Sequence, residues 1–575
     1  MKLIKDLIKA LLFIAIGIGL FLGIQRLLTP RWNYPNTTEN IYTQITAFEN
    51  LDENIEQVIF LGTSHMMRGV SPLEIYQDEK VISYNLGTSI QTLEGSYFLA
   101  KEAFRTQDPK VIVLDVSSLF FSGVTSRNFD VSMRYILDSL PMNETKVEMA
   151  KAYSEMSDLG DDTGTILRSE DTTERFVSCF IPFLQYHSRW NEIGESDFRD
   201  YFAYKDDYTA GYHMGSVLVG GATSLETVNA TAAELMLVNG VRDTFVYENG
   251  IRRAYETEED IYSTEIVDNN IEYLAKLKEL CDQNGASLLL TKIPAIASPI
   301  NYTSAWTKFR SAAVREVADR YGIDFLDLQY DADLGIDVSK DFYDGGMHLN
   351  ANGVKKASAY LGSYLKEHYG LEENVNLTYE SYVPYYKKMM DLVALQIETD
   401  PIEYLNILAE RSSRYTILMA VKYDLRTGLS TEEAHALSNL GLQSDWDNEV
   451  KMRRSMIAVI DGGDVKYEAA TNRMLNYTYT LDNGSVAEIM SSGLYSGSNS
   501  SILVDGNNLG KNGNGLNITV YDKELGIFVD VASINFCDVY DEVTGWGRHT
   551  VSHSTNRISS ALRDAEFIEV LQYEN

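Results

Sequence analysis

Val58-Ile59-Phe60-Leu61-Gly62-Thr63-Ser64-His65 is an apolar run that ends abruptly in small residues and a serine. Four consecutive apolar positions bounded by a turn signal read as a strand buried on both faces, the kind found in parallel sheets. A serine just past such a strand stands at the carboxyl edge of the sheet. Much later comes Asp341-Phe342-Tyr343-Asp344-Gly345-Gly346-Met347-His348-Leu349-Asn350, followed by Ala351-Asn352-Gly353 and a helical pattern. A hydroxyl, a carboxylate and an imidazole in these contexts supply a nucleophile, an orienting acid and a base suited to acyl transfer. Ser64 is the expected nucleophile and His348 the expected base. The acid is an aspartate preceding it, Asp344 or Asp341.

Working outward, the pattern stays α/β. Val81–Gly87 and Val111–Val116 read as further strands, with helical periodicity over Gln91–Phe104 between them. Residues 125–265 are less regular and predict helices and long excursions over the strand ends. The alternation then resumes with a helix over Asn270–Gln283, a strand over Ala286–Lys292, a helix over Thr307–Tyr321, a strand over Asp324–Leu328 and a helix over Gly353–His368. Strands alternating with helices signal a parallel sheet covered on both faces. Past about residue 375 the composition shifts. Tyr415–Val421, Ser455–Ile460 and Leu516–Tyr521 read as strands of a second, β-rich α+β domain, and Gly493–Gly515 is rich in Gly, Asn and Ser.

The first residues form a third region. Lys2, Lys5 and Lys9 precede an uninterrupted apolar run, Ala10–Ile24, which Leu27 and Leu28 extend. With no small-residue cleavage site following, this favours an uncleaved signal anchor over a signal peptide. The basic flank predicts a cytoplasmic N-terminus and an extracytoplasmic bulk, a single-pass cell-membrane protein. The expected organisation is therefore 1–33 anchor and tether, 34–375 α/β domain, and 376–575 β-rich domain.

Of the 575 residues 83 are acidic and 49 basic, a net charge of −34, which argues against nucleic acid as a partner. Cys179, Cys281 and Cys537 are too few for a disulfide framework and fit no metal-ligand spacing. No phosphate loop, zinc signature or dinucleotide fingerprint stands out, so no cofactor or metal is expected.

Gly62-Thr63-Ser64, then Asn85-Leu86-Gly87, then the late Asp…His before a helix resemble the SGNH (GDSL-like) hydrolase superfamily over about residues 50–370, in particular its membrane-anchored DltD-like branch. The resemblance implies a three-layer α/β/α domain with Ser64 as nucleophile, the N–H groups of Ser64 and Gly87 as oxyanion donors, His348 as base and Asp344 as acid. The family usually spaces its acid three residues before the histidine, and here Asp344 stands four before. Its Gly-x-Asn-Asp block has no counterpart after Val111–Val116. Arg414–Asp424 and Asn512–Asp522 resemble segments of the interleukin-like EMT inducer domain, a lectin-like module, in permuted order over about 400–575. Together the resemblances imply an envelope acyltransferase or esterase that O-acetylates polysaccharide, fed by a membrane-bound O-acyltransferase. A D-alanyl transfer to teichoic acid and a non-catalytic glycan-binding scaffold are the alternatives.

Further candidates for substrate binding are His65, Asn85, Lys292, and His187 with Arg189 in Tyr186-His187-Ser188-Arg189-Trp190. Each has a structural alternative: His65 a supporting residue, Lys292 a solvated strand-end lysine, the aromatic segment ordinary helix packing. Trp446, Tyr495 and Trp546 are candidate sugar-stacking aromatics, although each taken singly reads as packing before ligand contact.

Overall fold

In the computed structural model the described residues are 2–30, 41–120, 129–155, 171–194, 197–198, 209–213, 245–248, 251–254, 266, 268–295, 304–329, 331–336, 341–343, 348–425, 429–444, 454–536, 540–541, 545–546 and 549–554. Asp344, Trp446 and Cys537 lie outside them. The chain forms two compact units that part between Tyr386 and Lys387. The composition shift near 375 precedes that point, because one helix, Leu377–Ile397, runs through it.

The first unit opens with α1 (Lys2–Leu28), in which Ile4–Leu28 is long and apolar enough to cross a membrane. It continues with α2 (Ile41–Phe48), β1 (Val58–Leu61), α3 (Ser64–Gly69), α4 (Pro72–Glu79), β2 (Ser83–Asn85), α5 (Leu93–Thr106) and β3 (Val111–Asp115). Helices α6 (Phe129–Ser139), α7 (Glu144–Glu155), α8 (Thr172–Ser178) and α9 (Pro182–Tyr186) fill part of the irregular region, with a hairpin of β4 (Phe245–Glu248) and β5 (Ile251–Ala254). Then come α10 (Asp268–Gln283), β6 (Ser287–Lys292), α11 (Ser304–Tyr321), β7 (Asp324–Asp327), the short pair β8 (Phe342–Tyr343) and β9 (His348–Leu349), α12 (Ala351–Tyr369) and the start of α13 (Leu377–Ile397).

Five strands make one parallel sheet in the order β2-β1-β3-β6-β7. Every residue of β1 and β3 is buried, which is why both read as unbroken apolar runs. The path leaves β1 for β2 on one side and returns past β1 to β3 on the other. Right-handed crossovers therefore put α4 and α5 on opposite faces. α4 packs with α12 and α5 with α10, giving the expected three layers. Strand order reverses between β1 and β3, and ligands of open α/β sheets bind at the carboxyl ends beside such a reversal.

The second unit is strand-rich. After α14 (Pro401–Glu410), β10 (Tyr415–Tyr423) and α15 (Thr431–Asn439) come β11 (Ser455–Asp461), β12 (Asp464–Thr471), β13 (Leu475–Thr480), β14 (Val486–Gly493), β15 (Asn499–Val504), β16 (Asn507–Asn508), β17 (Gly515–Asp522), β18 (Ile527–Ile534), β19 (Tyr540–Asp541), β20 (Gly545–Trp546) and β21 (Val551–His553). β10 is the hub: it pairs antiparallel with β11 and β17, and its end runs parallel to β14. Leu418 and Ala420 of β10 alternate onto one face and join Ile457, Val459, Ile489 and Ile502 in the core. Burying each of the large aliphatic side chains contributes about 1.5–3 kcal/mol.

One buried acid ties β2 to α13. The Tyr379 hydroxyl lies 2.9 Å from Glu56 Oε1 and 2.7 Å from the Ser83 carbonyl. It has one proton for two acceptors. Burial raises the Glu56 carboxyl to about 8, against the pull of the Tyr379 hydrogen bond. A neutral Glu56 then donates to Tyr379, and Tyr379 donates to Ser83. The folded pKa lies above the unfolded one, so this contribution is complete below about 4.5 and is lost as pH rises through about 8. Glu56→Gln keeps a donor without a titrating proton. We expect wild-type stability, read by thermal unfolding, to fall by on the order of a few kcal/mol between about pH 4.5 and about pH 8, and the variant to lose that dependence.

Candidate active site

Gly62 makes the turn out of β1. Its φ is +140°, and a Cβ there would stand 2.5 Å from the Asp115 Cβ, so only glycine fits between the two strand ends. Thr63 caps the following helix: its Oγ1 accepts from the His65 N–H at 3.3 Å and donates its own proton to Asp115 Oδ2 at 2.7 Å. Asp115 also accepts from the N–H and hydroxyl of Ser117. Burial nevertheless lifts its carboxyl to about 6. Ser64 is thus the first residue of α3, standing over the ends of β1 and β3. Its N–H belongs to the open first turn and has no acceptor among the described residues.

β9 packs against α3 and carries His348, which is buried. His348 Nε2 lies 2.8 Å from Ser64 Oγ, across 284 positions of sequence. The imidazole is held there from both sides of the chain. Tyr343 of β8 pairs with His348 of β9, and Asn350 caps α12 by accepting from the N–H groups of Asn352 and Gly353 at 3.0 and 3.2 Å. Asp341 is buried, and its Oδ2 accepts from Lys356 Nζ at 2.7 Å.

The His65 ring lies 4.9 Å from that of His348, tilted by 32°. Burial first, then the facing His348 and the Lys292 charge, push His65 down to about 3, so it is neutral. Lys292, at the carboxyl end of β6, donates to Ser311 Oγ at 3.1 Å and lies 4.0 Å from Asp327 Oδ2. It thus behaves as a paired strand-end lysine whose field reaches the site.

Two expected roles meet a different arrangement. Gly87 packs against the backbone of Met67, but its N–H donates to Asn85 Oδ1 at 2.9 Å and so does not face Ser64 as a free donor. Asn85 is fully buried and its amide donates to the carbonyls of Met66 and Val70, both at 2.9 Å. Its amide nitrogen thus braces α3 and the C-cap of that helix, while its oxygen holds the Gly87 N–H. His187 is exposed, and Arg189 donates to the Leu28 carbonyl at 3.0 Å, at the end of α1. These two are not brought to Ser64 and His348.

Sequence reasoning missed Asp115, Thr63 and Gln91. Gln91 Oε1 accepts from the Gly62 N–H at 2.7 Å, and its amide donates to the Leu86 carbonyl at 2.8 Å, fastening the loop after β2 to the turn after β1. The signal for Asp115 was present, an acid closing a buried strand.

Replacing Asn85 by Ala would orphan two buried carbonyls and one buried N–H, each costing about 1–3 kcal/mol. We expect Asn85→Ala to lower stability by on the order of 3 kcal/mol or more in urea unfolding. Wild-type stability in that variant would show that α3 does not depend on Asn85.

No protein-family model matches the chain. No curated protein matches it either. Among solved structures it is similar to a putative acylhydrolase from Bacteroides fragilis NCTC 9343, at 12% identity and a TM-score of 0.25, over 59% of this chain and 99% of that one.

Proposed function

We propose that the chain is a membrane-anchored serine acyl-transfer enzyme working outside the cytoplasm on a cell-envelope or secreted polysaccharide, with acetyl as the acyl group. The observation that carries this reading is the 2.8 Å approach of His348 Nε2 to Ser64 Oγ at the carboxyl edge of a parallel sheet. A base at that distance is in reach of the hydroxyl proton. Ser64 Oγ attacks the donor carbonyl while its proton passes to His348. The oxyanion is stabilised by the Ser64 N–H, and the leaving group departs with the proton from His348. An acceptor hydroxyl then gives its proton to His348 and takes the acyl group, and Ser64 Oγ departs with that proton from His348, restoring both residues.

Asp344 serves as the orienting acid in this scheme. Asp341, whose Oδ2 pairs with Lys356 Nζ at 2.7 Å, is the alternative. The basic flank Lys2, Lys5 and Lys9 supports an N-terminus in the cytoplasm. That places the rest beside lipid-linked glycans and a membrane-bound O-acyltransferase as acyl source. The strand-rich unit holds the glycan, where the exposed Tyr495 offers a ring to a sugar face.

A fluorophosphonate probe should label the wild type and lose all labelling in Ser64→Ala, with His348→Ala reduced by about 100-fold or more. A folded wild type that takes no label would leave a glycan-binding scaffold. Acetyl and D-alanyl esters offered with and without oligosaccharide distinguish the donors and separate transfer from hydrolysis.

A further inference from the structure

Phe183 of α9 lies with its ring 6.1 Å from that of Phe21 in α1. Phe21 is inside the apolar run Ala10–Ile24, seven positions before Leu28. At a helical rise of about 1.5 Å per residue it sits roughly 10 Å below the end of α1. A side chain that touches it shares its depth.

The segment around α9 is tied to that end of α1 by polar contacts as well. Gln25 Nε2 donates to the Phe180 carbonyl at 3.4 Å. Arg189 donates to the carbonyls of Leu27 and Leu28 at 3.4 and 3.0 Å and to Asp197 Oδ1 at 2.6 Å. The guanidinium thereby satisfies carbonyls left open at a helix C-terminus. Around this junction large apolar side chains face outward: Phe183 is 38% exposed, Leu184 43%, Trp190 73% and Phe198 62%. In water four such groups together would be a liability. From the depth of Phe21, where Phe183 lies, up to the end of α1, where Arg189 holds its neighbour Trp190, such side chains span the boundary between acyl chains and headgroups, where aromatic rings concentrate.

We infer that α9, residues 187–194 and Asp197 with Phe198 form a platform seated in the outer interface of the bilayer that α1 crosses. The occupant of the exposed face is the lipid boundary itself, since the face is continuous with the membrane helix. The platform is keyed to the rest of the unit: Tyr186 donates to Asp138 Oδ2 at 2.5 Å, and Arg134 donates to Ser178 Oγ at 2.5 Å. Both Arg134 and Asp138 lie in α6 and are buried from solvent. The α/β unit is therefore seated on the bilayer by a second element besides α1, at a fixed height. This inference rests on α1 lying in a bilayer, and is independent of the chemistry at Ser64.

The test uses the full chain in phosphatidylcholine discs, with plain acyl chains or chains brominated near the headgroup. Phe183→Trp adds one indole at the depth of Phe21, and its emission is read as the difference from wild type. The expected result is blue-shifted emission quenched roughly twofold or more by brominated lipid. Should that variant misfold, wild type minus Trp190→Phe isolates a native indole with the same expectation. Water-like, unquenched emission in protein that co-elutes with discs overturns the platform and leaves the anchor standing. Protein that never enters discs overturns both. Absent quenching together with dissociation of a dimer by Leu184→Glu would assign the face to a second copy and overturn the proposal.

Discussion

Helix α3 has six residues, too few to persist on intrahelical hydrogen bonds alone. It is held by Asn85, a fully buried side chain at the end of β2 that takes the carbonyls of Met66 and Val70 on its amide and the Gly87 N–H on its oxygen. These bonds form away from water, where leaving any of the groups unmade is costly. Asn85 is in turn fixed from the backbone side: Gln44 Nε2 reaches its carbonyl at 2.7 Å, and its N–H donates to the Ala210 carbonyl at 2.9 Å. Thr63 with Asp115 pins the start of the helix, and Asn85 pins its body and end. Ser64 then has little freedom except at its hydroxyl.

The electrostatics of the two imidazoles follow from the same crowding. The chain carries a net charge of −34, yet the side chain in contact with Ser64 is a base, His348, and the ring beside that base is a second imidazole, His65. His348 takes up a proton during acyl transfer on the proposed scheme. A second imidazolium 4.9 Å away would oppose that by about 3 kcal/mol at an effective dielectric near 20. Burial and the Lys292 field keep His65 neutral, which removes the penalty. Its ring offers His348 a flat, uncharged neighbour.

Much of the first unit was legible because buried parallel strands are apolar on both faces. β1, β3 and β6 announce themselves as continuous runs, and the helices between them by their periodicity. Ser64 could be set at the sheet's carboxyl edge in advance because it follows a buried strand, and His348 could be paired with it because a late Asp…His before a helix completes an acyl-transfer set; the short strand that carries His348, outside the parallel sheet, left no such signal. Other features were invisible for a physical reason. That the Gly87 N–H turns toward Asn85 Oδ1 is a local choice between two acceptors, which no periodicity records. Arg189 reads as a ligand-binding cation until α1 supplies carbonyls from 161 positions away. In the second unit, the Gly-, Asn- and Ser-rich stretch holds β15 and β16. In β15 only alternate residues are buried, so Asn499-Ser500-Ser501-Ile502-Leu503-Val504 has a weak apolar signal.

Arg134 explains how the helical region beside α1 keeps its orientation to the sheet. Its guanidinium is buried with Asp138 four residues on, within 3.4 Å, and donates to both the hydroxyl and the carbonyl of Ser178. The Tyr153 ring lies 5.3 Å away and that of Tyr186 6.0 Å. Four helices, α6 to α9, thus converge on one charge. A buried ion pair adds little net stability over apolar packing of the same shape, but breaking one side of it is severe. Its effect is selection among arrangements: an apolar cluster could slide by a turn and still bury its area, whereas a charge that needs Asp138, Ser178 and Tyr186 in place accepts one register. α6 also packs on α2, whose Gln44 supports Asn85. A continuous series of directional contacts therefore runs from the helices beside the apolar segment α1 to the residue that braces Ser64.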